Sequence, residues 1–380
     1  MKKFISILLV FSLILSFNVI SVFGAQSSNV LDLKAKSAIL IEASTGQVLY
    51  EQNPHQKLPP ASITKIMTLL LIMEALESGK IKLTDKVICS ETAAGMGGSQ
   101  VFLEAGEQMT VDELLKAIAV ASGNDASVMM AEFIDGSEAA FVENMNIKAQ
   151  ELGMKNTTFK NCSGLDADGH TTTAYDVALM SAELLKHKQI TSYTTIWMDS
   201  LRNGKFGLDN TNKLVRFYKD CNGLKTGSTS TALFCISASA LRNNMQLIAV
   251  VLASPTSKDR FSDATKLLDY GFANWSVANG KNEDVINPVK VLKGVLQEVK
   301  VETSGEISIV VSKGKEKLIQ KKIEIQPDVL APVEKGQTLG KIIFTIENKE
   351  VGILPIKACE YIQKAGFDYF IKKLFSIFYC

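Results

Sequence analysis

Little in this chain favours charge of one sign: 41 basic residues against 40 acidic leave a formal net charge of +1. Phosphate recognition needs a concentrated positive surface, so nucleic acid is not an expected partner. Histidine is scarce as well, with only His55, His170 and His187, and no Gly-x-Ser-x-Gly stretch occurs. A Ser-His-Asp hydrolase built on a nucleophile elbow therefore has no support, and His170 reads as a structural hydrogen-bonder. The six cysteines (Cys89, Cys162, Cys221, Cys235, Cys359, Cys380) include no Cys-x-x-Cys pair, which removes zinc-ribbon and thioredoxin-like readings. Mostly buried or unpaired thiols are expected. No internal repeat or low-complexity tract is evident, and no metal or organic cofactor is implied.

What is present is first an export signal. Met1-Lys2-Lys3 is a short cationic start, the run 4–23 is nearly uncharged, and Gly24-Ala25 then precede polar Gln26. That layout predicts a secretory signal over 1–24; the rival reading is an uncleaved anchor. The remainder is expected outside the cytoplasmic membrane, and its length suits about two domains. In the first, 25–278, apolar runs flank Ser44-Thr45-Gly46 as a hairpin, and a helix follows Pro59-Pro60 from 62 to about 78. That helix is apolar nearly all round and should be buried. Helices are also expected over 111–122, 126–133, 138–152 and 175–186, and strand-like runs over 232–240 and 245–254 join through Arg242-Asn243-Asn244. Strands at both ends with helices between predict an α+β domain. After Trp275 a polar break at 279–282 leads into short Val/Ile alternations, read as a small all-β sandwich over 279–358. The tail 359–380 mixes aromatics with Lys364, Lys372 and Lys373, as an amphipathic helix at a membrane surface would.

The chemistry-bearing motifs lie in the first domain. Ser62-Ile63-Thr64-Lys65 sets a hydroxyl and an amine three apart, hence on one helical face. Serine needs a base to become nucleophilic, and lysine serves when burial or nearby positive charge lowers its pKa. The spacing alone is weak, because Ser312-Lys313-Gly314-Lys315 repeats it in the β domain without supporting motifs. Ser122-Gly123-Asn124 follows a helix, and Ser-x-Asn also occurs at Ser27-Ser28-Asn29. Lys225-Thr226-Gly227 occurs once, and its glycine permits close approach of a substrate to a strand. The three in this order form the signature of penicillin-binding proteins and serine β-lactamases.

The stretches ASITKIMT, MGGSQVFLEAGE, LLKAIAVASGNDAS, GLDADGHTTTAYDVA and NGLKTGSTSTA make the chain resemble the low-molecular-mass penicillin-binding proteins, the D-alanyl-D-alanine carboxypeptidases. The resemblance runs over nearly the whole length. It implies a D,D-peptidase fold, peptidoglycan stem peptides ending in D-Ala-D-Ala as substrate, and β-lactam antibiotics as acylating inhibitors. By the same resemblance, Ser62 forms the acyl-enzyme with Lys65 as base, while Ser122 and Lys225 move protons and Asn124 holds the substrate amide. Lys225 should also repel charge on Lys65. Ser62 and Ser228 backbone N–H groups would form the oxyanion hole, with Thr226 and Arg260 on the terminal carboxylate. Where the family often has proline after Asn161, this chain has Cys162. The loop 159–174 contains no glutamate, so the glutamate-activated water of class A β-lactamases has no counterpart there. Endopeptidase action on crosslinks is a rival within the family, and a silent wall-binding scaffold is a rival from another class.

Overall fold

A computed structural model describes residues 31–282, 285–303, 305–369 and 371; the predicted signal over 1–24 lies outside them. Strands β1 (Ser37–Glu42) and β2 (Val48–Gln52) form the expected hairpin. Glu42 accepts from Ser44 Oγ and from Thr45 N and Oγ1, so one buried carboxylate ties down the turn. The next segment opens as a 3₁₀ turn, Ala61–Thr64, and becomes helix α1 only at Lys65–Glu77. The sequence predicts a helix starting at Ser62. The difference arises at Ala61, whose left-handed φ of 48° turns the chain sharply just before the serine. As expected, α1 is largely buried, including Ile66, Leu69, Leu70 and Ile72, each contributing about 1.5–3 kcal/mol of transfer free energy.

Helices α2 (Val111–Ala119), α3 (Asn124–Asp135), α4 (Glu138–Glu151) and α5 (Ala174–Lys186) match the predicted helices to within a few residues. Thr110 and Glu113 form a reciprocal capping box at α2, and Thr173 caps α5 through Asp176 N. A small hairpin, β3 (Met198–Leu201) and β4 (Phe206–Asp209), precedes β5 (Cys221–Thr229), β6 (Leu233–Arg242) and β7 (Met245–Ser254). The main sheet runs β2-β1-β7-β6-β5, antiparallel throughout, so early and late chain segments lie side by side and β5 is an edge. Helix α6 (Ser257–Asn274), absent from the sequence reading, packs along β7 and β6. Its charged first turn obscures the apolar period, yet Thr256 with Asp259 three residues on is a cap signal the sequence does carry.

The stretch 279–282, expected as a polar break, is entered by strand β8 (Trp275–Gly280). Backbone pairing with residues 307–312 decides this, since a ladder needs N–H and C=O groups rather than apolar side chains. The β domain continues with β9 (Val289–Leu292), β10 (Ile307–Ser312), β11 (Gln320–Ile325), β12 (Asp328–Leu330), β13 (Thr338–Ile346) and β14 (Lys349–Ala358). One apolar cluster forms around Ile309, Ile342, Phe344 and Ile356, and another around Val291, Val333, Leu339 and Ile362. Residues 360–366, expected as the first part of the tail helix, instead run extended. Ile362 bridges to Val333, Lys364 bridges to Gly294, and Ile362 and Ala365 are buried. Helix begins at residue 367; residues 370 and 372–380 lie outside the described residues. Among the described residues no helix is long and apolar enough to cross a membrane.

Candidate active site

Three elements meet at the Ser62–Lys65 turn: the 3₁₀ turn itself, the first residue of α3, and edge strand β5. Lys65 is fully buried, and its Nζ lies 3.1 Å from Ser62 Oγ, 2.5 Å from Asn124 Oδ1 and 2.7 Å from the Ser163 carbonyl oxygen. Burial pulls its pKa from 10.5 down to about 7, so the neutral amine is within reach at physiological pH. A neutral amine has two N–H donors and one lone pair. Asn124 Oδ1 and Ser163 O can accept only, so they take the two N–H bonds and turn the lone pair toward the Ser62 hydroxyl. That is the geometry of a base facing a nucleophile.

Lys225 is also buried, and its amine donates to the Thr226 carbonyl at 3.3 Å. Burial comes first in holding its pKa well below normal, followed by repulsion from Lys65 and Arg260. Desolvation thus dominates at both lysines: the repulsion between them adds to the lowering at Lys225, while at Lys65 burial, and not Lys225, brings the pKa down. Ser122 sits at a left-handed φ of 65° with its Oγ buried and without a hydrogen-bond partner. A buried hydroxyl in that state is an available donor and acceptor for an incoming group.

Gly227 explains how β5 comes so close. A Cβ there would sit 2.7 Å from Ser62 N and 3.0 Å from Ile63 N, so only glycine lets the strand lie against the turn. Gly164 is tighter still, with φ +87° and the position of a Cβ only 1.9 Å from Ala61 O. The turn carrying Ser62 is thus held between two glycine backbones. Thr226 Oγ1 donates to Thr211 Oγ1 at 2.8 Å. Arg260 projects from α6 and its Nη1 donates to Gly227 O (3.0 Å) and Cys235 O (3.3 Å), leaving a buried Nε unpartnered. Its guanidinium therefore braces the Gly227 and Cys235 carbonyls of the paired strands.

The loop 159–171 closes the opposite wall. The Cys162 carbonyl accepts from Thr68 Oγ1 at 2.6 Å, and burial raises the thiol pKa well above normal, which leaves it protonated and inert. His170 meets Thr64 Oγ1 through Nε2 at 3.0 Å, and burial lowers its pKa to about 4, consistent with a structural role. A cavity of about 420 Å³ lies between Pro60, Ala61, this loop and Thr231. The other Ser-x-x-Lys copy is elsewhere: Ser312 ends β10, and Lys315 pairs with Glu347 at 2.9 Å. Ser62, Lys65, Asn124, Lys225, Thr226, Gly227 and Arg260 thus gather on touching elements, with Ser122 and Ser228 adjoining them in sequence. The sequence reading missed Ala61, Ser163 and Thr211. Two act through backbone or conformation, which no side-chain pattern announces.

A half-exposed serine backed by a buried lysine, under the edge strand of an antiparallel sheet, is the arrangement of an active-site-serine acyl hydrolase. The chain belongs to the D-alanyl-D-alanine carboxypeptidase family, whose peptidase model matches residues 24–256, followed by a match to the penicillin-binding protein 5 C-terminal domain over 280–364. It is 48% identical to D-alanyl-D-alanine carboxypeptidase DacF of Bacillus subtilis, over 98% of each chain. It is 33% identical to DacA of Escherichia coli K12, over 88% of this chain and 85% of that one. The crystal structure of penicillin binding protein 5 from Haemophilus influenzae superposes with a TM-score of 0.80 at 32% identity, covering 87% of this chain and 98% of the other. Penicillin-Binding Protein D2 of Listeria monocytogenes, solved in an ampicillin-bound form, matches at 32% identity and a TM-score of 0.59, over 64% of this chain and 99% of that one.

Proposed function

We propose that the chain is a serine-type D-Ala-D-Ala carboxypeptidase of peptidoglycan stem peptides, acting through an acyl-enzyme on Ser62. The observation that carries this is the buried Lys65 amine, held by two acceptors and facing Ser62 Oγ. Lys65 takes the serine proton as Oγ attacks the carbonyl between the two D-alanines. The oxyanion forms against the N–H groups of Ser62 and Ser228; the close packing of Gly227 on Ser62 N supports this pairing. The C–N bond breaks as the leaving amine receives a proton through Ser122 and Lys225, releasing D-alanine. Water then attacks the ester, Lys65 again serving as base, and the shortened peptide departs. Asn124 holds the substrate amide, and Thr226 with Arg260 receives the terminal carboxylate; the unpartnered Arg260 Nε is in keeping with that role.

β-Lactams mimic the scissile amide and acylate the same serine. Their release is slow in this reading, because loop 159–174 carries no glutamate to activate a water. Residues 1–24 direct export and 25–278 carry the reaction; 279–358 together with 360–366 form the second domain, and the tail beyond them associates with the outer face of the membrane. The apolar and lysine pattern of 367–380 supports that last assignment.

The test is incubation of wild type and Ser62→Ala with labelled penicillin and with a peptide ending in D-Ala-D-Ala. Stable label and D-alanine release confined to wild type are expected; label on the alanine variant sinks the Ser62 assignment. Deleting residues 367–380 should release the protein from membranes, and unchanged association points instead to a retained N-terminal anchor.

A further inference from the structure

Arg202 belongs to none of the catalytic motifs, yet it makes one of the densest sets of polar contacts near the site. It opens the turn between β3 and β4 at a left-handed φ of 54°. Its Nε and Nη2 meet the two carboxylate oxygens of Glu107 at 2.7 and 3.0 Å. Nη1 donates to Val101 O and Nη2 to Phe102 O, both at 2.9 Å, and the guanidinium lies 5.3 Å from the Phe206 ring centroid. A rigid fork used this fully fixes all three of its hydrogen-bond partners.

The loop it grips is the one that holds Asn124. Asn124 N donates to Ser99 O at 2.7 Å and Asn124 Nδ2 to Gly97 O at 2.6 Å. That second bond decides which end of the carboxamide faces Lys65. Asp125 accepts from Val101 N at 3.0 Å and from Leu103 N at 3.2 Å, so the same residues are held from both sides. The segment after the hairpin ends on β5: Asn212 Nδ2 donates to Gly223 O at 2.9 Å, and Thr211 accepts from Thr226.

We propose that Arg202 is a positioning residue that ties the strand bearing Lys225 and Thr226 to the loop orienting Asn124, and so sets the width of the gap between them. This rests on the reading of Asn124 and Lys65 as catalytic groups. A lysine cannot reproduce the link, because its single ammonium cannot span Glu107 and two carbonyls.

The test compares wild type, Ser62→Ala, Arg202→Ala and Arg202→Lys for kcat and KM on a D-Ala-D-Ala peptide, penicillin acylation rate and melting temperature. Arg202→Ala should lower kcat and acylation about 10- to 100-fold, as loss of reactive alignment does, with KM within about threefold. Arg202→Lys should recover little of the loss while melting close to wild type. Alanine activity within about twofold of wild type, a lysine variant equal to wild type, or losses that track the unfolded fraction each overturn the proposal. If the alanine variant does not fold, the lysine variant decides alone. A wild type silent in both assays sinks the catalytic reading itself and this proposal with it.

Discussion

Two places in this chain spell Ser-x-x-Lys, and the structure treats them in opposite ways. At Ser62 the lysine amine is fully buried, has two side-chain partners and a carbonyl, and its pKa falls to about 7. At Ser312 the serine is exposed at the end of β10, and Lys315 reaches across the surface to Glu347. The same letters thus yield a base facing a hydroxyl in one place and a surface ion pair in the other. Such a surface pair adds at most about 1 kcal/mol. The difference lies in what surrounds the spacing: Asn124 and Ser163 converge on Lys65 from segments 59 and 98 residues away. Chemistry at this motif is therefore a property of the packing.

The contrast breaks hardest at the serines. Ser62→Ala should lower D-alanine release by about 10⁴-fold or more, as loss of a nucleophile does, while Ser312→Ala leaves kcat/KM unchanged in the same assay. At the lysines, Lys65→Ala should reduce the penicillin acylation rate by about 10²–10⁴-fold, the usual contribution of a general base, whereas Lys315→Ala has no kinetic effect. An equal response in either pair would end the distinction between the two copies.

Glycines near the two copies extend the comparison to stability. Gly164→Ala drives a Cβ into Ala61 O at a backbone angle of +87°, so overpacking and strain together should cost about 3–5 kcal/mol in denaturant unfolding. Gly314→Ala has a similar φ of +88° but open space around it, so only backbone strain of about 1–2 kcal/mol is expected.

The smallest effect is on pH. A lysine lowered to about 7 is protonated and inactive below that value, so kcat/KM should rise with pH through a limb near 7. The unfolded chain binds this proton up to about 10.5, so the same shift makes the Lys65 contribution to stability grow as pH rises from 7 toward 10.5. A limb displaced by more than about one unit would shift the role of base away from Lys65.

Much of the fold was legible because burial writes itself into periodicity. The hairpin at 37–52, helix α1 and the β6–β7 pair follow from apolar patterning and turn residues alone. Helix α6 escaped because Arg260 and Asp263 are buried polar residues on its inner face, which interrupts the apolar stripe. The tail segment 360–366 misled for the opposite reason. Its apolar residues suit a helix, but Ile362 and Ala365 already have places in the β domain. At the site, side-chain motifs named Ser62, Lys65, Ser122, Asn124 and Lys225, whereas Ser163 and Gly97 contribute carbonyl oxygens that any residue could supply. Arg202 carried no signal either, since its partners are a glutamate and two carbonyls about 100 positions away.

By itself, the sequence determined which groups are available: two serines, two lysines, an asparagine and the glycines that allow close contact. It also determined the first hairpin, most helices of the first domain and the β6–β7 pair, because local apolar period depends only on near neighbours. Tertiary structure alone decided that Lys65 loses its solvent, that its two N–H bonds are occupied, and that Ser62 is pressed against β5. Desolvation and hydrogen-bond direction depend on atoms brought from distant segments, and no local pattern carries that information.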